Sequence, residues 1–405
     1  MNASRFAVLG QTPADIAAPS TVAEAQEVVR GAQGRSIVPW GGGTRQHVGY
    51  PPERYDLAVS TENLDAVTDY HPADLTVTAQ AGVTVARLQA TLAERGQWLP
   101  LDVAAPERQT VGGLVAARAD SLRRLACGSV RDSLIGVTVV NHAGELVKGG
   151  GRVVKNVSGY DLPKLYCGSW GTLGLIVDAT FKVAPLPEAS ATAALPLPAG
   201  RNSEDALDRL LASELEPSFL FLLNPSAAHA ILSDAEDAQY LVLGFDGSTE
   251  AVAWQLETLG APALETDGAA AARARLRDFA LADAPMTASF HILSSQVGAF
   301  ARMMEWTARR AGLAASVAAD AALGMLRAHF FPGENADWAA FAADFQDKAL
   351  RVGGSCIIER MPDALRALDI PIWSPLLPDF DLMARLKEKL DPRRMWNPGR
   401  FVGRL

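Results

Sequence analysis

The stretch that most constrains this chain is Gly41-Gly42-Gly43-Thr44, set between an apolar run, Ser36-Ile37-Val38-Pro39-Trp40, and a second strand-like run, Tyr55 to Val59. Three adjacent glycines let successive backbone N–H groups converge on one point, and no side chain stands in the way of an approaching phosphate. A diphosphate is the natural guest. A Walker loop is excluded because no lysine follows within reach. A Rossmann loop fails too, since its third glycine position is Gln46 and Pro51-Pro52 forbids a helix there. What remains is strand, glycine loop, strand, closing as a hairpin. A plain surface turn between two strands would use glycines in the same way.

With 405 residues, the chain predicts two domains, or one with a large insertion. Its net charge of −9 leaves no basic stripe to neutralise phosphates, which argues against nucleic acid. Met1 to Gly10 lacks a cationic region followed by an apolar core, and no apolar stretch reaches spanning length. The expected address is cytoplasmic, with no membrane insertion. Cys127, Cys167 and Cys356 form no C-x-x-C pair. An iron–sulfur cluster takes four thiolates, so this chain cannot hold one alone, and the three read as small buried hydrophobes. His71, His142, His229 and His291 have no metal-ligand spacing, and no metal site is predicted.

Ser20-Thr21-Val22-Ala23-Glu24 reads as an N-cap entering an amphipathic helix with Val22, Ala25, Val28 and Val29 on one side. Leu57 to Ser60 and Leu75 to Gln80 read as strands, so that up to Ala81 the pattern is a small α/β lobe. The Val85, Leu88, Leu92 spacing is helical and stops at Gly96. Gln109-Thr110-Val111-Gly112-Gly113-Leu114 reads as a loop entering a helix, and Val137 to Asn141 with Ala143 to Val147 as strand, turn, strand. Gly149 to Val183 is dense in turn residues, including Lys155 to Leu162 and Cys167 to Ile176. The Ala- and Pro-rich run Ala189 to Gly200 reads as a boundary. Beyond it, strand-like runs (219–223, 240–245, 289–293, 355–359) alternate with helical ones (205–214, 250–258, 269–280, 297–311, 336–352). That pattern predicts an antiparallel sheet backed by helices.

The order of the glycine loop, the Thr110 to Leu114 segment, Ala126 to Val137 (containing Gly128-Ser129-Val130-Arg131-Asp132), Lys155 to Leu162 and Gly168 to Ile176 resembles the FAD-binding domain of the vanillyl-alcohol oxidase and p-cresol methylhydroxylase (PCMH) type. Within that group it is similar to the E-type FAD-binding subunits of bacterial glycolate oxidase. The tail Leu390-Asp391-Pro392-Arg393-Arg394-Met395-Trp396-Asn397-Pro398-Gly399-Arg400-Phe401 resembles the closing D-P-x-x-x-x-N-P-G-R-F of the group. The match covers about residues 15 to 187 and the last fifteen.

The resemblance implies an α+β protein. A two-lobed PCMH-type FAD-binding domain would occupy 1–187, with lobes of about 1–81 and 82–187. An α+β cap would occupy 188–385, and 386–405 would return to the FAD domain. It implies FAD, bound non-covalently because Thr44 stands where some relatives tether the flavin to a histidine and His47 lies further on. The implied cofactor residues are Pro39, Gly41, Gly42, Gly43, Thr44, Arg45, Thr110, Gly112, Gly113, Gly128, Arg131, Asp132, Gly171, Thr172, Gly174 and Ile176. Arg131 and Asp132 read slightly better as a structural ion pair, and Asn156, Tyr160 and Asp161 equally as a structural turn.

The activity implied is oxidation of a 2-hydroxy acid, glycolate to glyoxylate, in a complex with a sister FAD subunit and an iron–sulfur subunit, held peripherally at the inner membrane through those partners. Such chemistry needs a base for the hydroxyl proton and a cation for the carboxylate. The family's histidine-rich H-x-G-D-G-N segment is absent. Arg327 and His329 are the nearest catalytic candidates, on one face if their run is a strand, with Arg360 behind them. For each, a structural role as a cap salt bridge or a satisfied core polar group is the favoured reading. The competing functions are a self-sufficient flavin oxidoreductase for another alcohol or hydroxy acid, and a non-catalytic scaffold.

Overall fold

The computed structural model describes residues 2–151, 159–197, 203–366 and 368–405. Two compact units divide the chain: Met1–Ser121 with Gly128–Leu186 and Leu376–Leu405, and Leu122–Cys127 with Pro187–Pro375. The fold is α+β.

In the first unit, a three-stranded sheet runs Asp15–Ala17, Leu57–Ser60, Ile37–Trp40, parallel throughout. The glycine loop therefore does not close a hairpin. The 41–56 connection crosses over to bring Leu57–Ser60 beside Ile37–Trp40 in the same direction, with Ile37 against Leu57 and Trp40 against Ser60. Helix Val22–Gly31 covers this sheet. The Thr21 hydroxyl accepts from Glu24 N at 3.1 Å while the Glu24 carboxylate accepts from Ser20 N at 2.8 Å, a reciprocal cap that fixes the helix start. Ala25 and Val29 pack on Ile37, Leu57, Val59 and, from the far end of the chain, Met395 and Trp396.

The second sheet of this unit is antiparallel and five-stranded: Val67–His71, Thr76–Gln80, Leu175–Lys182, Leu134–Val140, Leu146–Gly150. The lobe expected to end at Ala81 thus loses its last two strands to this sheet, because Thr76–Gln80 pairs with a strand a hundred residues later. Helix Val85–Ala93 contributes Val85, Leu88 and Leu92 to the core beneath it, at the predicted spacing.

The second unit is built on an eight-stranded antiparallel sheet ordered Ala189–Leu197, Gln239–Gly247, Phe219–Leu223, Leu313–Asp320, Met325–Pro332, Met286–His291, Ser355–Arg360, Trp373–Ser374. The run read as a boundary is the edge strand Ala189–Leu197. An edge tolerates Pro196, and small residues suffice where only one neighbour packs. Residues 198–200 of that run, like Lys155 and Asn156, lie outside the described residues. Helices Ser203–Leu211, Thr249–Leu259, Thr266–Asp278, Val297–Arg310 and Trp338–Arg351 match the helical runs of the sequence to within a few residues. Segment Leu122–Cys127, expected with the cofactor domain, clusters with this unit. Leu122 packs with Phe219 and Leu223, and the Arg123 guanidinium lies 3.3 Å from the Asp246 carboxylate. Among the described residues, no helix is long and apolar enough to cross a membrane.

Candidate functional site

The glycine loop is one wall shared by two cavities in the first unit. A narrow slot of about 90 Å³ is lined by Pro39 to Gln46, Gly112, Gly113, Trp170, Gly171, Gly174 to Ile176, Asn397 and Arg400, among others. A wider cavity of about 720 Å³ lies against Trp40 to Gly43, Gly82, Thr84, Arg87, Arg108 and Thr110.

Neighbouring protein dictates part of the glycine requirement. A Cβ on Gly42 would sit 1.6 Å from the Arg108 carbonyl oxygen, and one on Gly41 would sit 2.3 Å from Thr110 Oγ1. Gly43 has φ of +70°, a conformation other residues resist. The Thr44 hydroxyl, buried, donates to Gln109 Oε1 at 2.7 Å. The loop is thus bolted to the start of helix Val111–Ala117, whose N-cap Thr110 accepts from Gly113 N at 3.3 Å. Gly112 lies so close to Ala81 that a Cβ would meet its Cβ at 2.8 Å.

This packing leaves a donor cradle. Among the described residues, the backbone N–H groups of Gly41, Gly42, Gly43 and Thr44 donate to no protein acceptor. Buried or half-buried amides without partners are what an anion at this point would satisfy.

The opposite wall comes from the 170–176 turn, where Trp170 and Gly171 adopt left-handed φ of +53° and +66°. A Cβ on Gly171 would come within 3.2 Å of both Asn397 Nδ2 and Pro39 Cγ, so the slot is closed here by three chain segments.

The C-terminal segment holds these walls in register. Ile37 N donates to Met395 O at 2.6 Å and Asn397 N to Ile37 O at 2.9 Å, adding a bridge to the strand that leads into the loop. Lys387, buried, donates from Nζ to Thr172 O at 2.7 Å, Trp396 O at 2.8 Å and the fully buried Asp391 carboxylate at 2.6 Å. Burial pulls the Lys387 ammonium below its ordinary pKa, and Asp391 opposes the shift. Arg400 is spent on the segment after the loop: it donates to Gln46 Oε1 at 2.5 Å, Gln46 O at 2.8 Å, Val48 O at 3.0 Å and Tyr50 O at 3.4 Å. Burial brings its pKa to about 10, still charged at neutral pH, with the Tyr55 phenol as the opposing influence.

Of the residues expected at the cofactor, Pro39, Gly41, Gly42, Gly43, Thr44, Arg45, Gly112, Gly113, Gly171, Gly174 and Ile176 line the slot, and Thr110 lines the wider cavity. Gly128, Arg131, Asp132 and Thr172 line neither. Asp132 closes a capping box with Ser129, at 2.8 Å from its N and 2.7 Å from its Oγ. Thr172 donates to Ser169 O at 2.6 Å. Tyr160 is exposed, and Asp161 caps helix Leu162–Tyr166. Trp40, Gln46, Trp170, Asn397 and Arg400 were not singled out in the sequence as site residues. Asn397 and Arg400 nevertheless stand inside the recognised tail, and the others flank the glycine runs.

The catalytic candidates lie in the second unit on strand Met325–Pro332, at alternate positions. Arg327 reaches the Glu359 carboxylate at 2.9 Å. His329 is buried, its Nε2 facing Phe279 O at 2.8 Å and its Nδ1 facing Thr287 Oγ1 at 2.9 Å. A carbonyl partner makes Nε2 the protonated nitrogen, so Nδ1 accepts from the threonine hydroxyl. Arg360 reaches the Asp283 carboxylate at 2.5 Å. Cys167 and Cys356 are buried and Cys127 is half-buried.

Fold and cradle together define a dinucleotide-binding α+β protein. Its fold is that of alkyldihydroxyacetonephosphate synthase, whose crystal structure superposes with a TM-score of 0.72 at 20% identity, covering 95% of this chain and 75% of the other. Residues 13–150 match the family described as FAD binding domain, and the chain carries an FAD-binding domain of the PCMH type.

Similar proteins include the D-2-hydroxyglutarate dehydrogenase of Xanthomonas citri pv. viticola, 35% identical over 55% of this chain and 48% of that protein. The glycolate oxidase subunit GlcE of Escherichia coli is 34% identical over 45% of this chain and 50% of that one. The glycolate oxidase subunit GlcD of Bacillus subtilis is 25% identical over 91% and 84%. The chain spans about half the length of the first two.

Proposed function

We propose that this chain is the FAD-carrying subunit of a 2-hydroxy acid dehydrogenase, with glycolate as substrate and an iron–sulfur partner taking the electrons. The observation that carries the reading is the cradle of four unpartnered backbone N–H groups at Gly41 to Thr44, held open by Thr110, Arg108 and the Arg400 clamp. Its donor set fits a diphosphate, and the glycine-lined walls leave room for the flat ends of a dinucleotide. Bound there, FAD supplies a two-electron acceptor for the hydroxy acid's Cα–H. The chain's own part is to bind and orient: the cradle amides and Arg45 hold the diphosphate, the Gly112 and Gly171 turns admit the rings at backbone distance, and Lys387 and Arg400 keep the walls fixed.

In this reading, residues 1–187 with the tail form the cofactor domain, and the sheet unit serves substrate or partner. His329 is satisfied on both nitrogens, which takes it out of the role of base, and Arg327 is paired with Glu359, which takes it out of the role of carboxylate cation. That favours a complex over a self-sufficient oxidase. The sister flavoprotein then supplies the base, and the assembly sits in the cytoplasm, peripherally at the membrane through its partners.

Purification alone and with co-expressed partners, each followed by a visible spectrum and anaerobic addition of glycolate and D-2-hydroxyglutarate, tests the proposal. Flavin absorbance in both preparations, bleached by glycolate only in the complex, is expected. A flavin-free chain, or one bleached without partners, would overturn it.

A further inference from the structure

Asn397 occupies a demanding position for a surface-loop residue type. It is almost fully buried and its φ is +46°, in the left-handed region. Its backbone N–H is tied to Ile37 O at 2.9 Å, so the residue cannot withdraw. The side-chain Nδ2 donates to Trp170 O at 2.7 Å, which orients the amide. The other end of that amide, Oδ1, is buried and has no hydrogen-bond partner among the described residues. Such an acceptor is normally satisfied, and one left open beside a slot calls for a donor from whatever fills the slot.

The remaining polar side chains around it are already committed. Arg400 is used by Gln46, Val48 and Tyr50, and Thr44 by Gln109. Asn397 meets the slot at Gly171, Pro39 and the Trp170 carbonyl, and Leu175 and Ile176 line the same slot, walls that are flat or apolar and suited to a purine, whereas the free amides that suit a diphosphate lie at Gly41 to Thr44.

We propose that Asn397 positions the adenosine half of the bound cofactor by accepting, at Oδ1, a hydrogen bond from its amine or ribose hydroxyl. The proposal rests on the FAD reading above. It adds a specificity role to a residue of the C-terminal tail, which otherwise acts as a clamp.

Titration of the apo-protein by flavin fluorescence tests it, with three probes: FAD, its hypoxanthine analogue (amine replaced by oxo) and its 2′-deoxyadenosine analogue. Wild type should bind one analogue at least about tenfold more weakly than FAD, the scale of one lost hydrogen bond. Asn397→Gly, which tolerates the left-handed backbone, should bind FAD about tenfold more weakly and lose that discrimination. A purely structural role for Asn397 would weaken all three probes equally and leave the discrimination intact, overturning the proposal. Should the variant not fold, the wild-type arm decides alone: equal affinity for all three probes refutes the role while the FAD reading stands. A wild type that binds none of them removes both.

Discussion

His329 sits with both ring nitrogens engaged inside the second unit, and the difficulty of charging it there leaves a pH signature. Burial first, then the cations Arg327 and Arg360, bring its pKa from 6.5 down to about 4, against the opposing pull of Phe279 O and Glu359. The unfolded chain therefore binds more protons than the folded one between those values. Stability is at its full value with respect to this group above about pH 6.5 and falls as pH drops toward 4, the loss reaching on the order of 3 kcal/mol by the low end of the window. Urea melts at pH 7.0, 6.0 and 5.0 should give a falling midpoint in wild type and a flatter one in His329→Gln; parallel curves would mean that His329 does not titrate in this way. From sequence, Arg327 and His329 were legible as sharing a face because alternation along a strand is local. Their partners Glu359, Thr287 and Phe279 were not, because each arrives from another strand or helix and no pattern within the 325–331 run encodes it.

At the scale of elements, the glycine loop shows what spacing alone can and cannot convey. Strand, loop and strand were readable from apolar runs and glycines. The parallel pairing was not, since direction depends on where the 41–56 connection travels. Nor was the reason for two of the glycines: Gly41 and Gly42 make room for Thr110 and Arg108, a contact between segments more than sixty residues apart.

That contact makes a graded prediction. Gly42→Ala places a methyl 1.6 Å from a backbone oxygen that cannot rotate away, so the loop must separate from helix Val111–Ala117. The cost is about 2–4 kcal/mol of stability, with loss of retained flavin. Gly96→Ala is the control. Its φ is +65° but nothing lies within 4 Å, so it should cost about 1–2 kcal/mol through the backbone alone and leave the flavin-to-protein ratio unchanged. Equal flavin content in the two variants would sink the account of the loop as a cofactor wall. That Ala189–Leu197 is an edge strand was not legible in the sequence for a related reason: Ala, Thr and Pro are poor strand signals, and only its pairing with Gln239–Gly247 makes it one.

For the whole molecule, the decisive arrangement is that the first unit is assembled from three separate chain segments while most of the second is inserted between them. The first unit closes where the tail meets the start: Met395 and Trp396, both fully buried, complete the core under Ile37, and Lys387 ties that tail to the 172 turn. Each unit has its own apolar core, one around Val77, Leu88 and Phe181, another around Phe219, Val242 and Leu276. Separate cores permit separate unfolding. A ligand held by the glycine cradle stabilises the unit that contains the cradle. At a hundredfold excess over its dissociation constant the gain is about 2.7 kcal/mol, which for a unit of this size raises the melting temperature by roughly 5–10 °C. Calorimetry of the apo-protein should resolve two transitions, and added FAD should move one of them by that amount and leave the other in place. Movement of both together would mean that the inserted unit takes part in holding the cofactor, and movement of neither would remove the cradle from the argument.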